Sequence, residues 1–376
     1  MTTETEKLFA PFSFKKGIET RNRILMAPMT TWSSNDDYTI ADDEISHYEA
    51  RTGDVGMVIT GCTRVLPNGI GFTNEYGAYD DSFLPGLTKL AAAAKRGGAP
   101  ALMQIYHAGN KAIPEFIADG TVVSASAMEL PATPFSNVGT IRTHELSQQE
   151  ILDLIKAFGE VTHRAIKAGF DGVELHGAHG FLLQNFFSPQ YNKRTDEWGG
   201  SPEKRMRFAL EVLSEVQRVA AAYAHKPFLI GYRISPEEAN GYAVADMYPL
   251  IDRLIAEGID YLHVSLHDLL HNKPFSEPAG EKTTLELIVA HVGQRIPVIA
   301  AGSIKQPADA VKAVDLGLSL VAVGHGLIIN PNWVALAAQG EQAEEVLSLS
   351  KGDELAIPKK LQAGIAHAPG WFQVKD

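Results

Sequence analysis

Short apolar runs alternate with longer amphipathic ones, strand then helix, about eight times along this 376-residue chain, and that alternation limits what it can fold into. Strands separated by a helix's length of chain cannot pair through tight hairpins, so they lie parallel in one sheet. Strand patterns fall at 23–29, 56–62, 100–106, 172–176, 227–234, 260–265, 296–301 and 319–324. Helical patterns fall near 41–53, 83–97, 147–168, 203–223, 245–257, 281–293, 306–316 and 331–339. Ser147 with Glu150 has the spacing of a capping box, and Ser201-Pro202-Glu203 reads as an N-cap followed by proline at the first helical position. Eight units of each kind predict a closed (β/α)8 TIM barrel. A doubly wound sheet is the weaker alternative, because no break in the pattern marks a reversal of strand order.

Two insertions interrupt the alternation, 107–146 after the third strand and 180–202 after the fourth, and both emerge at the C-terminal face, where loops carry function. The barrel is expected over 1–340, with 341–376 as a C-terminal extension. Trp371 and Phe372 are unusually apolar for a free end, so the extension is expected to dock on its own barrel or, as the alternative, on a neighbouring subunit.

A balance of 33 basic to 45 acidic residues, net −12, argues against nucleic acid as a partner and leaves a homo-oligomer open. No run reads as a signal peptide or a membrane span, so a soluble cytoplasmic protein is expected. Cys62 is the single cysteine, which removes intrachain disulfides and any cluster needing four thiolates from this chain.

The chemistry-bearing residues fall at the predicted strand ends. Val173–His176 alternates apolar and polar side chains, so His176, with His179 three residues on, sits where parallel α/β proteins bind ligands. Ala27-Pro28-Met29-Thr30 reads either as a strand-terminating proline with a capping threonine or as backbone groups and a hydroxyl offered to a flat heteroaromatic ligand. Gln104 and Tyr106, two apart on the third strand, share a face, and a buried amide there needs partners such as a ring edge provides. Arg233 needs an anion, either Glu174 or a ligand that accumulates negative charge. Gly302-Ser303 and Gly324-His325-Gly326 end strands seven and eight, whose loops commonly cradle phosphate. These residues outline a site for a phosphorylated, ring-containing cofactor. A metal at His176 and His179 would need a third ligand such as His107 or His263, and none is expected.

With NRILMAPMT (22–30), MQIYHAGNK (103–111), VELHGAHGFLLQNFFSP (173–189) and NKRTDEWGGSPEKR (192–205), the chain resembles the Old Yellow Enzyme family of FMN-dependent NADH:flavin oxidoreductases and ene-reductases, from about Leu8 to Trp333. The resemblance implies FMN at the mouth of the barrel, near Ala27, Pro28, Met29, Thr30, Gly61, Gln104 and Arg233, with Gly302, Ser303, Gly324 and His325 at its phosphate. It implies that His176 and His179 hold the oxygen of a small-molecule acceptor, with Trp32 and Phe181 in the substrate pocket. NADH or NADPH would deliver hydride to flavin N5, and an enone, quinone or nitro compound would then take it. No GxGxxG fingerprint follows a strand, consistent with a nicotinamide that visits.

Two positions depart from the family pattern. Phe181 stands where a proton-donating tyrosine is usual, which leaves Tyr106 or water as the proton source and puts enone reduction in doubt. His325 stands where an arginine is common, so phosphate contact there is expected to be weaker or pH-sensitive. The competing readings are a flavin-binding protein with little turnover, storing or sensing FMN, and a metal-dependent barrel hydrolase.

Overall fold

The computed structural model describes residues 5–277 and 280–375. Eight parallel strands, β1 (Ile24–Met26), β2 (Met57–Ile59), β3 (Ala101–Tyr106), β4 (Gly172–Gly177), β5 (Leu229–Ile234), β6 (Tyr261–Ser265), β7 (Val298–Ala301) and β8 (Leu320–Val323), form one sheet. It closes because β8 pairs with β1 and β3 pairs with β4. The helices α1 (Asp42–Arg51), α2 (Leu84–Ala94), α3 (Gln148–Ala168), α4 (Pro202–Tyr223), α5 (Val244–Ala256), α6 (Thr284–Val292), α7 (Pro307–Asp315) and α8 (Trp333–Gln339) alternate with the strands. The chain is therefore a (β/α)8 barrel. Both anticipated helix starts form: Ser147 and Glu150 exchange capping bonds of 3.3 and 2.7 Å, and Ser201 caps α4 ahead of Pro202.

Both faces of each strand are buried, which is why the strands read as continuous apolar runs. Leu25, Met57, Ile59, Leu102, Leu229 and Leu320 point inward and pack on Phe14, which follows the first strand of a hairpin (Phe12–Ser13 with Glu19–Thr20) that plugs the N-terminal end. Their neighbours Ile24, Val58, Met103, Val173 and Ile230 belong to the core shared with the helices. Toward the C-terminal end the interior turns polar. A Cβ on Gly231 would lie 2.0 Å from the Tyr261 ring, so only glycine leaves room for Tyr261 to reach across and donate to Glu174 at 2.9 Å.

β1 and β2 are shorter than their sequence patterns because the chain leaves the ladder after Met26 and Ile59, and residues 27–30 turn to line a cavity. The insertion after β3 contains a hairpin, Glu129–Pro131 with Thr140–Arg142, and the one after β4 opens with a short helix, Leu182–Phe187. Beyond α8 the extension folds back over the C-terminal face through α9 (Lys359–His367). Arg51 at the end of α1 pins it, its guanidinium donating to the carbonyls of Leu327 and Ile328 on one side and of Leu355 and Ala356 on the other. Ile357, Leu361, Ile365 and Phe372 bury themselves on Ile328, Ile329 and Leu347.

Candidate functional site

Two cavities of 860 and 490 Å³ open at the C-terminal end of the barrel and share Pro28, Met29, Arg233 and Trp371 in their walls. The larger is lined by Thr30, Trp32, Gln104, His176, His179 and Phe181 among others, the smaller by Ala27, Gly302, Ser303, Gly324 and His325.

His176 ends β4, and its Nδ1 accepts the N–H of Ala178 at 3.3 Å, so the proton of the neutral ring sits on Nε2. His179 holds a left-handed backbone, φ 59°, secured by its N–H on the Ser235 hydroxyl at 3.0 Å. Its Nε2 lies 2.7 Å from the Ser265 hydroxyl, and that hydroxyl accepts from Arg233 Nη2 at 3.1 Å. The two imidazoles stand 4.9 Å apart between ring centres. Desolvation, then positive neighbours that include Arg233 and Lys111, holds both well below the usual histidine range, so both are neutral at physiological pH.

Arg233 makes no direct ion-pair contact among the described residues; Glu174, the partner considered from sequence, acts on it only as a nearby buried charge. Glu174 is instead saturated by Gln104 Nε2 (2.7 Å), Tyr261 (2.9 Å) and His263 Nδ1 (2.9 Å). Arg233 is 5% exposed, and its Nε has no acceptor. Leaving a buried guanidinium donor unmade costs about 1–3 kcal/mol, a cost that a ligand with a negative edge removes. Gln104 reaches the cavity wall beside it, oriented by Glu174.

At the smaller cavity Ser303 also has a left-handed backbone, φ 51°, and a Cβ on Gly302 would meet the Leu266 carbonyl at 2.7 Å. The N–H groups of Gly302, Ser303, Gly324 and His325 meet no acceptor among the described residues. Desolvation and then Lys305 push His325 down to about 4, so it is neutral at pH 7 and carries none of the charge an arginine would bring. Lys305 lines the same cavity, 3.6 Å from Glu345, and supplies a cation that the sequence did not single out. These donors, a buried guanidinium whose Nε has no acceptor and a narrow glycine-walled end fit FMN.

Two of the sequence candidates do not reach either cavity. Tyr106 is fully buried; its hydroxyl donates to Glu75 and accepts the Gly71 N–H at 3.2 Å. The cause is a short strand, Thr63–Arg64, that pairs beside Ile105 and Tyr106, after which the chain brings Glu75 back onto the hydroxyl. Both backbone groups of Gly61 are taken by tyrosines, its N–H by Tyr48 and its carbonyl by Tyr76. Its neighbour Cys62 lines the cavity instead, with Sγ 3.1 Å from the Thr30 hydroxyl. Among the described residues no group of three or more His, Cys, Asp and Glu could hold a metal, and no helix is long and apolar enough to cross a membrane.

Residues 7–344 match the NADH:flavin oxidoreductase / NADH oxidase family. The chain belongs to that family. It is 40% identical to a probable NADH-dependent flavin oxidoreductase of Bacillus subtilis over the whole of both chains. It is also 38% identical to an NADH:fumarate oxidoreductase of Klebsiella pneumoniae, spanning 96% of this chain and 39% of that longer protein. Among solved structures the old yellow enzyme homologue from Zymomonas mobilis superposes with a TM-score of 0.78 at 23% identity, covering 90% of this chain and 94% of the other, which shows the shared fold. As a family member the chain is an FMN-dependent oxidoreductase with a reduced nicotinamide as hydride donor. The family segment ends at 344, so α9 and Trp371, which line the larger cavity, lie outside it.

Proposed function

We propose that the protein moves hydride from NADH or NADPH to an electron-poor acceptor, with quinones and nitro compounds favoured over simple enones. The bound FMN supplies the two-electron relay between the two. The observation that carries this reading is the neutral His176 and His179 pair, which faces the same cavity as Arg233, whose Nε has no acceptor.

Arg233 and Gln104 would hold the ring system, while the loop amides at Gly302, Ser303 and Gly324 with Lys305 would hold the phosphate. His176 offers its Nε2–H to an acceptor oxygen. Ser265, receiving a bond from Arg233, directs its own proton to His179 Nε2, which leaves a second donor at Nδ1. Two N–H donors aimed at one oxygen stabilise the negative charge that develops there during reduction.

Phe181 lines the cavity beside this pair and has no proton to give. Cys62, pushed up to about 12 chiefly by desolvation, is a poor acid. Oxygen-protonated acceptors exchange their protons with water, so they need no such donor. Under anaerobic conditions NADH or NADPH should bleach the yellow holoenzyme, and a quinone should restore its colour faster than cyclohexenone does. A holoenzyme that no reduced nicotinamide bleaches would sink the reading.

A further inference from the structure

The larger cavity has an outer wall that the family segment does not supply. Lys360, Ala363, Gly364 and His367 line it at the spacing of one face of α9, Ala368 and Trp371 continue the wall beyond the helix's end, and Leu361 and Ile365 bury the other face on the barrel. The middle of the lining face is made of small residues. Gly364 lies against Trp32, where a Cβ would meet the indole at 3.2 Å. Gly364 thus lets the Trp32 indole pack directly on α9, and the 860 Å³ cavity runs from the histidine pair on the barrel to Lys360 on the first turn of α9.

The charge of this wall is one-sided. In a chain of net −12, no Asp or Glu lines the cavity among the described residues, whereas Arg233 and Lys360 do. Lys360 gives one proton to the Ser34 carbonyl at 2.7 Å, and its one carboxylate neighbour, Asp36 at 3.4 Å, has a side chain 99% exposed. Solvent screens such a pair, and the ammonium keeps attraction for a second anion. The Trp32 Nε1–H in the same wall is buried without an acceptor.

Resting on the function proposed above, we infer that the acceptor carries an anionic group, a carboxylate, at the end remote from its reducible group. Lys360 of the C-terminal extension receives that group, with the Trp32 indole N–H as a further donor. Arg233 is not available for this role, because it lies deep in the wall shared with the smaller cavity and belongs to the cofactor's side. The other anion that enters this cavity is the pyrophosphate of the nicotinamide dinucleotide, so the two half-reactions separate the sources.

The test compares 4-nitrobenzoate with its methyl ester as oxidants of the reduced holoenzyme in stopped flow. In each case two electrons and two protons convert nitro to nitroso with loss of water, and NADH and a solvent proton supply both. Wild type should prefer the acid, and Lys360→Gln should lower the acid-to-ester ratio by about threefold or more, the scale of a partly exposed ion pair. Lys360→Arg, which keeps the charge, should restore the ratio. An unchanged ratio together with weakened NADH binding would assign Lys360 to the dinucleotide and overturn the inference. An unchanged ratio with unchanged NADH binding overturns it equally. If the holoenzyme is not bleached by NADH, the functional reading has failed separately. Binding of the same acid and ester to the oxidised holoenzyme, read from the flavin spectrum, then decides the inference by the same ratio.

Discussion

Two hydrogen-bonding pairs flank the Phe181 ring, and they differ in what they can reach. His176 and His179 line the cavity, and desolvation with positive neighbours keeps them neutral. Tyr106 and Glu75 lie behind, with the Tyr106 ring 4.8 Å from Phe181 and its hydroxyl committed to the carboxyl. The second pair holds the more transferable proton, since burial pushes Glu75 up to about 7 while the buried phenol is raised well above its ordinary value. The pairs differ in reach: Phe181, together with the Cys62 thiol that Tyr106 also contacts, stands between the Tyr106–Glu75 proton and the cavity, whereas on the proposed reading the open histidine pair stabilises charge without being acidic.

The largest effect should come from removing the open pair. His176→Ala with His179→Ala should slow the oxidative half-reaction by about 10²-fold, the scale of a lost anion-stabilising donor. Flavin reduction by NADH or NADPH should suffer less. Equal losses in both, or loss of flavin, would move these residues from acceptor binding to cofactor binding.

Next in size is a variant that gives the cavity the proton it lacks. Phe181→Tyr places a phenol on the cavity wall and should raise cyclohexenone reduction several-fold, with the roughly 10²–10⁴-fold reach of a general acid as its ceiling. Reoxidation by a quinone should respond far less. A wild type already fast on the enone, with no gain in the variant, would mean that another group delivers the proton. Tyr106→Phe then discriminates: with the hydroxyl held by Glu75, that substitution should change enone reduction by less than about threefold. It should cost about 1–3 kcal/mol of stability, measured by thermal unfolding, for two lost buried hydrogen bonds.

The contrast also explains what the sequence could reveal. The eight strands were legible because strand and helix periods repeat locally, and His176, Arg233, Gly302 and Gly324 were legible because strand ends in such a barrel share one face. Tyr106 was assigned to the cavity on the two-residue strand period alone. That period gives a direction and says nothing about the Thr63–Arg64 strand and Glu75, which arrive from elsewhere to claim the hydroxyl. Gly61, placed at the flavin by the resemblance and not by any period, has its amide and carbonyl held by Tyr48 and Tyr76. Lys360 and Trp371 were invisible as site residues because more than a hundred residues separate them from the histidine pair, and only the return of the extension, anchored by Arg51, brings them there.

The smallest expected effect concerns the sealed pair as a determinant of stability. Glu75 sits above its ordinary 4.5 because of desolvation, which outweighs Arg64, whose Nε is 4.0 Å away, and the donors at Tyr106, Gly71 and Phe72. Between pH 4.5 and about 7 the native protein keeps a proton on Glu75 that the unfolded chain has released. The native state therefore loses stability as pH rises through that window, and the full cost is present above it. Glu44, buried and likewise raised to about 7, adds to the same trend. Glu75→Gln fixes the uncharged form while keeping an oxygen for the three donors. It should leave the unfolding temperature of the holoenzyme almost unchanged at pH 5 and raise it at pH 8.5 by about 1–3 °C, the size of shift expected for ~1 kcal/mol in a chain of this length. A variant less stable than wild type at pH 8.5 would show instead that the ionised carboxylate, held by Arg64, is the form the fold prefers.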